Sequence, residues 1–399
     1  MSGAARAGGG PSHWSDWLKL CFVLALPLLS APTAALACPL CYEALRQFMT
    51  EGVRLDAADR AVLAARDGAN APPRIVAIIK GGDAVGEVVS QRVTDLSGGG
   101  GVADFVSAPA AGPRDQPAAS GQPLLLIHDP AAPQWTELGT VPLTDADWLR
   151  QVAATKQIGG ERPRQTWPLT MSTADALSYA GWRARIALLL PRLEDKNPFV
   201  SRLAWGELAR APYAAMDVAR SRLDAAKVEG WIDDPALAAR RSTYLTLLGF
   251  VGGPDDAARL DQRIEAALAA HDSKDLAAMI AADLEITDGA QIDWIETRIF
   301  GDRSRTMPEI EAGLLALTVL GDADGAVPRG KIIAAYRKFI KLRPPMAGFV
   351  APQLADWNCW DAAPDYSALV NSNAVTDPAS QFAIVNYLKR AAEAGVAVR

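Results

Sequence analysis

The chain has 399 residues, half of them apolar, with 40 Lys and Arg against 46 Asp and Glu and a formal net charge of −6. A mildly acidic chain with no run of basic residues lacks the electrostatic footprint of a nucleic-acid binder, so no nucleic acid is expected as a partner. Four cysteines are too few to build a fold from disulfides, and the apolar content is ample for cores that do without them.

Residues 1–19 carry Arg6, Asp16 and Lys19 behind a Gly-rich start, and "LCFVLALPLLSAPTAALA" fills 20–37. A basic flank, an apolar run and small residues at its end form the layout of a secretory signal peptide. Ala35-Leu36-Ala37 is its A-x-A site, since the peptidase pocket admits only small side chains there. Pro27 and Pro32 each remove a backbone donor and kink the segment. The run is also at the short end of the ~20 residues a bilayer crossing needs. Cleavage after Ala37 is therefore expected, which places the protein in the periplasm or cell envelope. The other routes are an uncleaved anchor or lipid attachment at Cys38; the latter prefers Leu where Ala35 stands. Membrane contact is expected only through the signal segment or a lipidated Cys38.

Cleavage makes Cys38 and Cys41 the first and fourth residues of the remaining chain. Residues 39–49 suit one short helix, with Leu45, Phe48 and Met49 three and four apart. Five short runs follow: "RAVLAARD" (60–67), "RIVAIIK" (74–80), "GEVVSQRVTDL" (86–96), "PLLLIHD" (123–129) and "TELGTVP" (136–142). Gly, Pro and Asp punctuate them, which reads as strands. The expectation is a small β-rich domain over 38–150, an OB-like or antiparallel β barrel. The stretch 97–122 is Gly, Ala, Pro and Ser around one apolar island, and reads as a flexible loop. Its "GGGG" lacks the Lys-Ser/Thr and helix start of a phosphate cradle.

After a linker over 151–171 the texture becomes helical. Ser172 and Asp175 form a capping-box-like start, followed by Leu177, Ile186, Leu189 and Leu193 at helical spacing. Pro198 then opens "PFVSRLAWGELAR" at a position where its missing donor is harmless. Asp195, Val200, Arg202 and Ala204 in "EDKNPFVSRLAWGELA" resemble a HEAT-type repeat, in which an intra-repeat Asp and a second-helix Arg tie neighbouring repeats into a ladder. Leu248-Gly249 and Leu320-Gly321 recur 72 residues apart, two periods of 36. The resemblance implies HEAT-like α-helical repeats, an α-solenoid, over 172–395. Later units lack the Asp-Arg combination. Cys38-Pro39-Leu40-Cys41, "RIVAIIK" and "LAWGELARAPY" together also resemble a group of uncharacterised exported bacterial proteins with an N-terminal Cys-Pro-x-Cys element, a small β domain and helical repeats.

Few residues carry chemistry. A thioredoxin-type pair caps a helix after a strand; here a signal segment precedes Cys38 and Cys41, which favours a structural disulfide or terminal element. Cys359 is then left over in "WNCW", a small apolar residue among aromatics, although a bridge back to the N-terminus stays open. A structural zinc site needs four ligands, and beyond the cysteines only His128 and His271 remain. No metal and no cofactor are expected. "GDADGAVPRG" lacks the distal Glu of a calcium loop and reads as a helix–helix turn. Trp357 and Trp360, three apart, form a candidate interaction surface. The expected function is a non-catalytic exported protein that binds another protein through its helical repeats, with no catalytic residues. The alternative is a thiol-disulfide or metal-handling protein using Cys38 and Cys41.

Overall fold

The computed structural model describes residues 50–68, 71–89, 93–95, 122–130, 134–162 and 177–397. The leader, Cys38, Cys41, the expected helix at 39–49, Ser172, Asp175 and nearly all of the 97–122 loop lie outside the described residues.

Each of the five runs expected to be a strand falls on one: β1 (Arg60–Ala65), β2 (Arg74–Lys80), β3 (Val93–Asp95), β4 (Leu124–His128) and β5 (Trp135–Thr140), the last beginning one residue before its run. They form one sheet in the order β2-β1-β4-β5-β3. The expected barrel does not form. Closure needs the two edge strands to pair with a consistent tilt and stagger, and here β2 and β3 lie at opposite edges. β3 is three residues long and runs parallel to β5, while the other pairings are antiparallel. The sheet is therefore open and mixed. β1 and β4 sit centrally and are buried along both faces, which explains their unbroken apolar runs. β2 shifts register against β1 between Leu63 and Ala64. Ile75 consequently packs with Val62, Leu126 and Trp135 on one face, while Ala77 and Ile79 join the opposite face.

The rest of the described chain is helical. Helix α1 (Glu51–Ala57) precedes the sheet and α2 (Ala146–Ala154) follows it. Then come α3 (Tyr179–Leu189), α4 (Pro198–Ala209), α5 (Ala225–Asp233), α6 (Arg241–Val251), α7 (Pro254–Ala269) and α8 (Leu276–Ile286). Helix α9 (Ile292–Ile295) runs on as a π-helix, Glu296–Gly301. The last five are α10 (Met307–Ala323), α11 (Arg329–Leu342), α12 (Ala351–Asp356), α13 (Ala363–Asn371) and α14 (Pro378–Glu393). Starts follow the local chemistry. Ser178 accepts from Gly181 N at the head of α3, and Asn197 accepts from Phe199 and Val200 N ahead of Pro198. Asp256 reaches back to Gly253 N at the head of α7. The turn "GDADG" ends α10, with Asp324 in the left-handed region. Among the described residues no helix is long and apolar enough to cross a membrane.

Helices α6, α8 and α10 pack side by side, while α5, α7, the π-helix and α11 line up outside them. Side-chain rungs join the outer members. Arg259 reaches Glu229 and Arg263 reaches Asp233, each at 2.7 Å. Arg298 reaches Glu265 at 3.0 Å, and Lys338 holds Glu296. A second device recurs beside these pairs. Arg241 donates to Ile232 O, Arg305 to Leu268 O, Arg343 to Phe300 O and Arg390 to Ala355 O. Each closes the C-terminal carbonyls of an earlier helix, which have no partner within their own helix. Exposed ion pairs contribute ~0.2–1 kcal/mol each, so the rungs set register while burial supplies most of the stability.

The recurring Leu-Gly has a packing cause. A Cβ on Gly249 would lie 2.9 Å from Ala282 Cα of α8, and one on Gly321 would lie 2.4 Å from the Trp357 ring. Both glycines let a helix approach the next unit closely. One apolar core runs from Leu63 and Leu125 of the sheet, through Trp148, Trp182 and Ile186, to Tyr387 near the C-terminus. Gly249→Ala is expected to lower stability in urea unfolding by about 1–3 kcal/mol, despite the better helix propensity of Ala. Gly230→Ala on α5, where nothing lies within 4 Å of an added Cβ, should raise it by about 0.5–1 kcal/mol.

Candidate functional site

The most charged place in the interior joins the start of the described chain to its helices. Arg185 on α3 is fully buried, and all five of its N–H groups are used. Nη1 donates to Asp56 Oδ2 at 2.7 Å and Glu207 Oε2 at 2.6 Å. Nη2 donates to Asp56 Oδ1 at 2.7 Å and Val152 O at 3.1 Å, and Nε to Thr155 Oγ1 at 2.8 Å. Glu207, also fully buried, accepts from Thr50 Oγ1 and twice from Arg210. Arg210 lies over the Trp182 ring, its guanidinium 4.8 Å from the centroid. Gly52 fits because it has no side chain: a Cβ there would lie 2.0 Å from Glu207 Cδ.

Two arginines and two carboxylates leave this cluster neutral in sum. Burial works against the charge on Arg185, but Asp56 and Glu207 overcome it and hold the guanidinium above its ordinary value. Burial likewise pushes Glu207 up, and Arg210 and Arg185 outweigh it, holding the carboxyl below its ordinary value. Groups so fully paired with protein have no valence to spare for a substrate. The cluster positions α1, the end of α2, α3 and α4 against one another.

The residues singled out from sequence have these places. Cys38 and Cys41 lie outside the described residues. Asp195 is held by Arg192 at 2.7 Å and accepts from Asn197 N, while Arg202 reaches Glu51 of α1 at 2.5 Å. Asp195 and Arg202 are thus engaged with different partners. Trp357 is half-buried, donates to Asp322 Oδ1 at 2.8 Å and stacks on Tyr336 at 5.7 Å. Trp360 packs on Tyr387 at 5.4 Å. Both rings make contacts inside the fold and stay partly exposed. Cys359 is a free thiol, and burial pushes its pKa up. His128 meets Asp59 rather than its sequence neighbour, at 2.8 Å, and His271 faces Glu309 at 3.3 Å. No group of three His, Cys, Asp or Glu able to hold a metal occurs among the described residues.

Helix α8 is apolar almost all round and enclosed by α6, α7 and α10, yet it carries Asp283 and Glu285. The tight helical segment Tyr213–Ser221 lies across α6 and α10, and its Tyr213 and Arg220 both bond to Glu285. Asp283 is 3% exposed and its Oδ1 has no hydrogen-bond partner among the described residues. Burial, reinforced by the charge of Asp261, pushes Asp283 up to about 7. At the N-terminal ends of α6 and α8 an open cleft of about 440 Å³ is rimmed by Arg241, Arg263, Lys274, Asp233, Asp272 and Asp275. Its floor includes Leu245 and Met279. Opposite charges around an apolar floor suit a polypeptide segment better than a single anion or cation.

Folding lifts Asp283 from its ordinary carboxyl value to about 7. Its contribution to stability is therefore full below pH ~4 and declines as pH rises through 7. Asp283→Asn should flatten stability between pH 4 and pH 8 relative to the wild type, measured by urea unfolding at several pH values; parallel profiles would contradict the assignment.

No family model matches the chain, and no curated protein or solved structure matches it either.

Proposed function

We propose that the chain is an exported, non-catalytic scaffold of the cell envelope whose helices form a HEAT-like α-solenoid that binds another protein. The observation that supports this most is the repeated stacking of α5 to α11, with ion-pair rungs and arginine-closed helix ends at each step. Stacks of this kind offer long surfaces whose parts are held in register, and such surfaces suit polypeptide partners. The Tyr213–Ser221 segment covers part of the inner helices, so binding is assigned to the open cleft between α5, α6, α7 and α8. Of the rim charges, Arg263, Asp233, Asp272 and Lys274 face solvent, while Arg241 and Asp275 are held by the fold.

The test is capture from envelope extract with the full chain and with a variant carrying Arg263→Glu and Lys274→Glu. The wild type is expected to retain a specific protein that the variant loses, with unchanged circular dichroism and a melting temperature lowered only by the loss of the exposed Arg263–Asp233 rung. Equal capture by both would remove the cleft from the account. Turnover of a small substrate by the wild type would remove the non-catalytic reading.

A further inference from the structure

The last helices end the stack with an unusual surface. Among the described residues eight large apolar side chains are exposed, and four of them fall between residues 349 and 385. Phe382 and Val385, 76% and 56% exposed, lie three apart on the outward face of α14. The inward face is formed by Ile384, Tyr387 and Ala391, all fully buried. Gly348 lies against the Ser380 backbone, where an added Cβ would come within 2.4 Å of Cα, so exposed Phe349 borders the first turns of α14. On the inward side Tyr366 of α13 packs on Tyr387. A terminal element of a stack needs a polar outer face to stay soluble alone; this one is apolar at its centre.

We infer that this face docks a second copy of the chain about a twofold axis, α14 against α14 in antiparallel order. The charges on the helix argue for this occupant. With the axis midway between Phe382 and Val385, Phe382 of one copy meets Val385 of the other. Lys389, 73% exposed and only 3.9 Å-paired with Glu393, then lies opposite the Pro378 end, beside exposed Asp377. Symmetry makes that Lys-Asp contact twice, while a parallel pairing would set Lys389 against Lys389. Asp377 keeps its capping bond to Ser380 N at 2.7 Å in either state. A self-complementary patch with an apolar centre, an acid at one end and a Lys389–Glu393 pair at the other fits a closed twofold contact in which Lys389 exchanges its weak in-helix partner for Asp377 of the second copy. It is small, so the dimer belongs to the weak class, with half-association in the micromolar range.

The experiment is light scattering and sedimentation of the full chain over a concentration series. The wild type should reach twice the chain mass by ~100 μM. Phe382→Glu should stay monomeric throughout, with unchanged circular dichroism and melting because its side chain is exposed. Lys389→Glu should weaken association several-fold, more at low salt than at high salt. A wild type that stays monomeric at the top concentration, or a Phe382→Glu variant that dimerises equally, overturns the inference. So does a monomeric wild type whose Phe382 face instead retains a different protein from extract. Because the cleft substitutions lie on α7 and in the turn before α8, failure here and failure of the scaffold reading are separately visible.

Discussion

Arg185 is the interaction on which the rest of the structure depends. A buried guanidinium is tolerable only when every donor is met and its charge is balanced, and here five donors and two carboxylates do both. The partners come from three separate pieces of chain, α1, the end of α2 and α4, and α3 carries the guanidinium itself. Removing any one of them leaves a charge stranded in the interior. The cluster therefore acts less as a source of net stability than as a condition: the pieces are assembled together or not at all. Breaking such a pair on one side costs about 3–5 kcal/mol, far more than an exposed rung.

The same logic explains why the sheet and helices share one core. The cluster pins α1 against α4, and Lys80 at the end of β2 donates to carbonyls at the end of α1, including Asp56 O at 3.1 Å. Lys156 reaches the same carbonyl at 2.9 Å. The sheet's inner face is thereby held against α2 and α3, and the apolar cluster runs on without a break into α6 to α14. The stacked helices then extend a body whose base is fixed.

Much of this was legible in the sequence. The five strands declared themselves through short Val, Ile and Leu runs between Gly, Pro and Asp, and the helix-pair rhythm after Pro198 was equally plain. Closure of the sheet was not legible, because strand order depends on contacts distant along the chain. The Leu-Gly recurrence was visible as a pattern, and only the neighbours of Gly249 and Gly321 show that it marks close helix approach. Arg185 was silent for the same reason. In "GWRARIALLL" it reads as a surface residue, since its carboxylates lie 129 positions before it and 22 after it. Asp195 and Arg202 drew attention by motif, whereas the observed rungs use Arg259, Arg263, Arg298 and Lys338, whose acids lie 30 to 42 residues earlier. Trp357 and Trp360 drew attention by their spacing, which says nothing of the ring contacts that each makes with Tyr336 or Tyr387.

The central claim, that Arg185 makes α1 part of the helical body, is tested most directly by native-state hydrogen exchange at residue resolution. The amides of Arg54 and Ala58, bonded to Thr50 O and Arg54 O, should exchange through the same large opening as amides inside α3 and α4, and share its denaturant dependence. Exchange of Arg54 and Ala58 through a local, denaturant-independent opening, while α3 and α4 stay protected, would contradict it.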